Sequence, residues 1–413
     1  ARRDQRRDRQ VLRCAQGEDT LLSYLPLSHV VERCISIWVN LRTRTVVHFA
    51  ESIETVTSDL AEVQPTVLFA VPRIWEKIQA SVAIKMANAS RLKKTIFHIS
   101  EKWSQIISHD LVSNGGTFTL KAKILYLLGY WPLYRPLRKR LGLLHVRHAI
   151  SGAAPISPEV LTFFLGIGVP LYEAYGMTEN SAVTTSNFVG RLKLGTVGEV
   201  QPFTEVKLAE GTNEVLTRHP ANFIGYWGKE KATSETLDSD GWLHSGDVGE
   251  WIDGTHLKII DRIKDIIITA GGKNISPSEI ENALKASPFI KEAVIIGDKR
   301  PYLSALIGIE FDTVADWASR KNLEYTTYRD LSEKSEVVEL IAGVVHEVNK
   351  KFARVESVRK IRMLTKELDH EDGELTATQK LKRNAFAKTV PHLIDDIYAG
   401  TNAYAGYDLG RNG

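Results

Sequence analysis

The sequence has little cysteine: two residues in 413, Cys14 and Cys34. That excludes a disulfide framework, and the pair has no metal-ligand spacing, so a reducing cytoplasm fits. No apolar run approaches the ~18 to 20 residues a transmembrane helix needs, and no apolar signal core stands near the start. Neither charge dominates: a net charge of +3 over this length gives no argument for a nucleic-acid partner. Two common nucleotide fingerprints are missing as well. Gly166-Ile167-Gly168 lacks the third glycine of a dinucleotide motif, and Gly225 to Lys229 has the wrong spacing for a P-loop.

What is present suits a globular protein of about two or three domains, with hydrophobic and charged fractions of 43% and 25%. From Thr20 the pattern becomes orderly. Leu21 to Leu25 reads as a buried strand, followed by a proline turn and a helix start capped by Ser28. A strand at Thr45 to Phe49, a helix around Ile53 to Val63 and a strand at Thr66 to Val71 make a β-α-β alternation, which argues for a parallel sheet under helices. Helical, partly basic sequence then runs from Glu76 to about Leu144, with a loop at Ser113 to Gly116. Within it, Leu120 to Leu144 sets apolar and aromatic residues beside Arg135, Arg138, Lys139 and Arg140. Such a helix can dock on its own domain or lie at a lipid headgroup boundary, a peripheral membrane contact.

Two strand-to-turn passages carry chemistry. Val146 to Ile150 leads into Ser151-Gly152-Ala153-Ala154-Pro155, whose small residues let a flat ring lie against the backbone. Val169 to Tyr175 opens into Gly176-Met177-Thr178-Glu179-Asn180, where a hydroxyl can donate to a phosphate oxygen and a carboxylate can neutralise a hard cation. Short strands with glycine punctuation from Gly195 to Arg262 suggest a small β-barrel-like subdomain, inside which Asp247 follows Gly246. Charges at Asp261 to Asp265, between strands and before Gly271-Gly272, suggest a joint between packed units. Beyond it the pattern is compact α+β, with a helix start at Ser276-Pro277 capped by a hydroxyl.

These motifs, taken in order, resemble the signatures of the acyl-adenylate-forming enzymes, closest to long-chain fatty-acid–CoA ligases of the bubblegum-like group. The string Leu25 to His29 with Arg33, the run Pro72 to Lys77 and the stretch Gly373 to Arg383 add to the likeness, which covers about Thr20 to Ala399. The resemblance implies an α/β fold: a large N-terminal domain of parallel sheets flanked by helices with a β-barrel-like subdomain, then a small mobile α+β C-terminal domain. The corresponding divisions are an arginine-rich segment at 1–16 that resembles nothing in the family, 17–190, 191–263, 264–398, and a tail at 399–413. By the same likeness Gly152, Ala153 and Ala154 line the adenine pocket, Tyr175 stacks on adenine with Gly176 in the nucleotide site, and Thr178 touches phosphate. Glu179 holds Mg²⁺, Asp247 and Arg262 hold the ribose, His29 borders the acyl carboxylate and Trp75 stands near the mouth of the acyl tunnel. Lys264 is the hinge, and Lys380, with Lys382 and Arg383 as lesser candidates, is the lysine swung in for adenylation.

The implied reaction is a two-step ligation of a long-chain fatty acid, using ATP, Mg²⁺ and coenzyme A. The glycine- and threonine-rich phosphate loop of the family has no counterpart in the sequence, which predicts an N-terminally truncated chain of poor activity. Two other readings stay open: an acyl-AMP ligase loading a carrier protein, and an inactive nucleotide- or lipid-binding fragment.

Overall fold

The computed structural model describes residues 17–87, 90–369, 372–375 and 381–399. The segment 1–16, Lys380 and the tail beyond Ala399 lie outside them. The chain divides into two compact units, Ala1–Ile259 and Ile260–Gly413.

In the first unit, leucine-rich β1 (Thr20–Ser23) is flanked by β2 (Val46–Phe49) and β3 (Val67–Ala70), and the sheet grows through β4 (His148–Ser151) and β5 (Leu171–Tyr175). All four pairings are parallel. Parallel neighbours need long crossovers, here helices such as Val56–Val63, Arg91–Ser113 and Pro158–Gly166. Their apolar faces meet the sheet in one core containing Leu60, Ile107, Phe164 and Leu171. Trp75 belongs to it: fully buried, it stands edge-on to Phe164 at 4.9 Å, and its indole N–H donates to the Ala70 carbonyl at 3.2 Å. The structure shows this packing role for Trp75 and leaves the ring no exposed edge.

The next strands are β6 (Thr185–Ser186), β7 (Glu199–Val200), β8 (Glu205–Leu208), β9 (Glu214–Arg218), β10 (Leu243–Ile252) and β11 (His256–Arg262). They make up the β-rich stretch expected of the sequence, and the structure adds how it is joined on. β6 pairs antiparallel with the far edge of β5, and β7, β11, β10, β9 and β8 follow, so the β-rich stretch is the antiparallel half of one eleven-stranded sheet. An unpaired edge on β5 would have left buried backbone donors without partners; β6 supplies them.

The second unit packs helices Pro277–Lys285, Phe311–Arg320 and Ser335–Asn349 against β14 (Ile290–Ile296), β15 (Leu303–Ile309) and β16 (Val358–Met363), after a short hairpin of β12 (Ile267–Ile268) and β13 (Asn274–Ile275). Every residue of β15 is buried, the lone polar Ser304 included, as befits the central strand of its sheet. Ser276 does not cap the helix it precedes. Its hydroxyl donates to the Ile260 carbonyl at 2.9 Å and to Asp261 Oδ2 at 2.7 Å. The capping group is Asp261 itself, buried, which accepts the Ser278 N–H at 3.0 Å, the Ser278 hydroxyl at 2.9 Å and the Arg262 N–H at 2.8 Å. A carboxylate at a helix N-terminus is favoured by the orphan amides and the helix dipole together.

Removing this carboxylate leaves three donors from Ser276 and Ser278 without their acceptor, a loss of about 2 to 3 kcal/mol. In Asp261→Ala, hydrogen–deuterium exchange of the amides at the start of helix Pro277–Lys285 is expected to accelerate by on the order of tenfold or more, with the amides of β3 and β4 unchanged. Unchanged exchange at the helix start would show that Asp261 does not hold it.

Candidate functional site

The carboxyl ends of β4 and β5 point to the same end of the sheet, the place where open α/β sheets bind ligands. After β4 the chain turns at Gly152-Ala153-Ala154. A Cβ on Gly152 would lie 3.1 Å from the Ala174 carbonyl oxygen and 3.2 Å from the Phe69 ring, so glycine lets the turn sit tight on β5. Ala153 has φ of 71°, a left-handed conformation that costs a non-glycine residue free energy and is typical of ligand turns.

Tyr175 closes β5, and its hydroxyl donates to Asp247 Oδ2 at 2.6 Å across 72 residues of sequence. This contact lies beside a break in β10. The β9–β10 register shifts between His244 and Val248, and three successive residues, Asp247, Val248 and Gly249, are buried where a regular strand would alternate. Four residues of β10 answer two of β9 here, and beside this irregularity the buried Asp247 carboxylate meets the end of β5. Glu214 on β9 clamps the bulge: Oε1 accepts the Gly246 N–H at 2.9 Å and Oε2 meets His244 Nδ1 at 3.0 Å, while Gly246 takes φ of 70°. Sequence reasoning missed Glu214. Its only signal was a carboxylate on a strand one hairpin away from Gly246-Asp247.

The Gly176–Asn180 segment forms a single 3₁₀ turn, Thr178–Asn180, locked by a buried Asn180 that accepts the Met177 N–H at 2.9 Å and donates to Thr184 Oγ1 at 2.7 Å. Gly176 passes so close to the chain that a Cβ there would come within 2.0 Å of the Ala182 carbonyl oxygen. Thr178 is exposed on the turn. Glu179 Oε1 accepts the Tyr226 hydroxyl at 2.7 Å, and burial, then the Glu179 carboxylate, hold that phenol above its ordinary pKa, so it remains a donor at neutral pH. His29, not Ser28, caps the helix Val30–Glu32, with Nδ1 accepting the Val31 N–H at 3.3 Å. The Cys34 thiol on the following turn reaches the Ser181 carbonyl at 3.9 Å, which sets the segment headed by His29 beside the Gly176–Asn180 turn.

In the second unit, Arg262 and Lys264 are exposed, Lys264 in a turn closed by Asp265 N–H donating to the Arg262 carbonyl at 2.9 Å. Arg383, a lesser candidate for the adenylation lysine's role, is a structural residue instead. Its Nη2 donates to Glu281 Oε1 and Oε2 at 2.6 and 2.8 Å, and its Nη1 to the Ile295 carbonyl at 3.1 Å. Glu281, buried, also accepts the Ile295 N–H at 2.7 Å. A bidentate buried pair of this kind cannot swing without stranding both charges. Leu375 and Leu381 bridge antiparallel, and the Lys382 N–H donates to the Glu374 carbonyl at 2.8 Å, so the residues on both sides of 376–380 are fixed to the second unit.

Glu173, on β5 in register with Ser151 of β4, is buried with Oε2 unpartnered, and the Ser151 hydroxyl is likewise unsatisfied. Burial pushes its carboxyl up to about 8, opposed by a hydrogen bond from the Ile156 backbone. A carboxyl whose folded pKa lies above its unfolded value stabilises fully below the unfolded pKa of 4.5 and loses that contribution as pH rises through about 8. The thermal midpoint of the chain is therefore expected to fall between pH 5 and pH 9, and Glu173→Gln to flatten that decline; an identical decline in the variant would exclude Glu173 as its source.

Two family profiles match the chain: AMP-binding enzyme over residues 4–227, reaching into the arginine-rich segment, and AMP-binding enzyme C-terminal domain over 264–402. It is 35% identical over 381 residues to the long-chain-fatty-acid–CoA ligase FadD15 of Mycobacterium tuberculosis, covering 92% of this chain and 62% of that one. It is 32% identical over 417 residues to the long-chain-fatty-acid–CoA ligase ACSBG2 of Gallus gallus, covering 95% and 54%. The chain thus spans between about half and two thirds of the length of the curated relatives it matches. In fold it is similar to the A domain of a carboxylic acid reductase from Segniliparus rugosus in complex with AMP and a co-purified carboxylic acid, with a TM-score of 0.68 at 22% identity over 92% of this chain and 55% of that one. The mixed α/β sheet with its small C-terminal unit, the paired turns beyond β4 and β5, and both profile matches agree: the chain belongs to the AMP-binding enzyme family of acyl-adenylate-forming enzymes.

Proposed function

We propose that this chain is the adenylate-handling part of a long-chain fatty acid–CoA ligase. The observation that carries the reading is the Tyr175–Asp247 hydrogen bond, which joins two distant motifs beside the strained Gly152–Ala154 turn. A phenol fixed at its hydroxyl presents its ring as a rigid wall for adenine, and a carboxylate with two oxygens has acceptor capacity for a ribose hydroxyl besides the phenol. Arg262 is the second ribose contact in this proposal, and His29 the residue bordering the acyl carboxylate. The long-chain substrate and the coenzyme A acceptor are supported by the names of the relatives that are 31 to 35% identical.

In the first step the fatty carboxylate oxygen bonds to the α-phosphorus of ATP and pyrophosphate leaves; in the second the coenzyme A sulfur takes the acyl carbon and AMP leaves. Repulsion between anions is the main barrier to the first step, so groups placed beforehand to receive negative charge matter most. Thr178 offers a hydroxyl and Lys380 an ammonium to the phosphates. Among the described residues no group of three or more His, Cys, Asp or Glu side chains could hold a metal on its own. A single carboxylate at Glu179 fits Mg²⁺ delivered by the nucleotide, since that ion commonly takes one or two carboxylates plus phosphate oxygens. Bound there, Mg²⁺ would offset phosphate charge. Lys264, in an exposed turn five residues past the boundary between the units, is the proposed hinge for exchanging the two half-reactions.

Pyrophosphate–ATP exchange with palmitate tests the reading. Exchange is expected to be slow, to require the fatty acid, and to drop on the order of a hundredfold or more in Lys380→Ala. Exchange indifferent to palmitate or to Lys380 would overturn it. Lys264→Pro is expected to retain exchange while losing palmitoyl-CoA formation; equal loss of both would remove the hinge from the account.

A further inference from the structure

We propose that helix Leu120–Gly129 and the turn after it form a docking face for an anionic lipid bilayer, a role separate from the adenylate site. The helix is apolar on two opposite sides. Its inner side sets Ala122 and Gly129, both buried, with Leu125 and Tyr126 against the core of the first unit. Its outer side carries Leu120, Ile124, Leu127 and Leu128, at spacings of four, seven and eight residues from the first, and is continued by Trp131 in the π-helical turn Tyr130–Tyr134. These five side chains are 75%, 50%, 59%, 60% and 70% exposed. A row of large apolar residues on one helix face, in water, marks an interaction surface rather than scattered exposure.

Charge decides the occupant. Lys121 and Lys123, both exposed, project from the two flanks of the outer stripe, where their stems can run along apolar surface and their ammonium groups rise to phosphate level. The Arg135 guanidinium lies 5.1 Å from the centre of the Trp131 ring, and Lys139 and Arg140 are exposed on the next helix. Arg138 is not part of the set: it is buried and donates to the carbonyls of Leu143, Leu144 and Val146. Between Asp110 and Glu159 the sequence contains no acidic residue. Asp110 is used locally, accepting from the Thr119 backbone N–H at 3.1 Å and hydroxyl at 2.8 Å, which fixes the helix start. A protein partner would ordinarily be met with both signs of charge around an apolar centre. An apolar stripe ending in tryptophan, in a stretch of chain whose charges are all positive, matches an interface of acyl chains beneath anionic headgroups.

The test is co-sedimentation of the full chain with vesicles of phosphatidylcholine, alone and mixed with phosphatidylglycerol. Binding is expected to favour the mixed vesicles and to weaken with salt. Lys121→Gln combined with Lys123→Gln should reduce it on the order of tenfold, and Ile124→Glu combined with Leu128→Glu should abolish it while leaving circular dichroism unchanged, because both side chains point away from the core. No partition into mixed vesicles, or partition that neither double variant alters, would overturn the proposal. So would lipid-free dimerisation, by light scattering, that the double glutamate variant abolishes, since it would assign the face to a second copy.

Discussion

The site depends on one irregularity, the bulge in β10. Alternation between the two faces of the sheet holds from Leu243 to Asp247 and then breaks, with Val248 and Gly249 buried as well and the β9 pairing shifted. The bulge costs ladder hydrogen bonds, which Glu214 replaces from the neighbouring strand by holding the Gly246 N–H and His244 together. The Asp247 carboxylate beside it holds Tyr175 at its hydroxyl, at the end of β5. The turns beyond β4 and β5 then carry their own strain, at Ala153 and at Ser181 and Ala182, all with positive φ. Such conformations persist where the surroundings over-determine them, as Asn180 does from its buried position in the Gly176–Asn180 turn.

Much of this was legible from residue order. The alternation of strands and helices before Tyr175 predicts a parallel sheet, and the sheet has it, because periodicity of apolar residues is a local property. How the β-rich stretch after Gly195 joins the rest is nonlocal. Short strands with glycine turns form antiparallel neighbours in either arrangement, and only the pairing of β6 with β5 decides that they extend an existing sheet. Ser276 and Ser28 looked like caps by type and position. The structure gives the first role to Asp261, fifteen residues earlier in the chain, and the second to His29, one residue later. Glu214 and Glu281 were invisible because each acts on a partner remote in sequence, and a lone carboxylate on a strand or helix has no pattern of its own.

The second unit is tied together by two buried carboxylates. Asp261 ties the chain entering the unit to helix Pro277–Lys285, and Glu281 on that helix ties Arg383 to β14. The residues bracketing Lys380 are thereby fixed to the same framework as the turn that holds Lys264. In the proposed mechanism this matters more than the strength of any single pair. A rotation at Lys264 would move the lysine as part of a body, without the loss of precision a loose loop would bring.

Isothermal titration of the 413-residue chain with a hydrolysis-resistant palmitoyl-adenylate analogue reads the Tyr175–Asp247 site itself. One site is expected, with affinity weakened by about ten- to a hundredfold in Asp247→Ala and also weakened in Glu214→Ala, whose side chain touches no ligand and acts through β10. No binding by the folded chain, or binding that ignores Asp247, would contradict it.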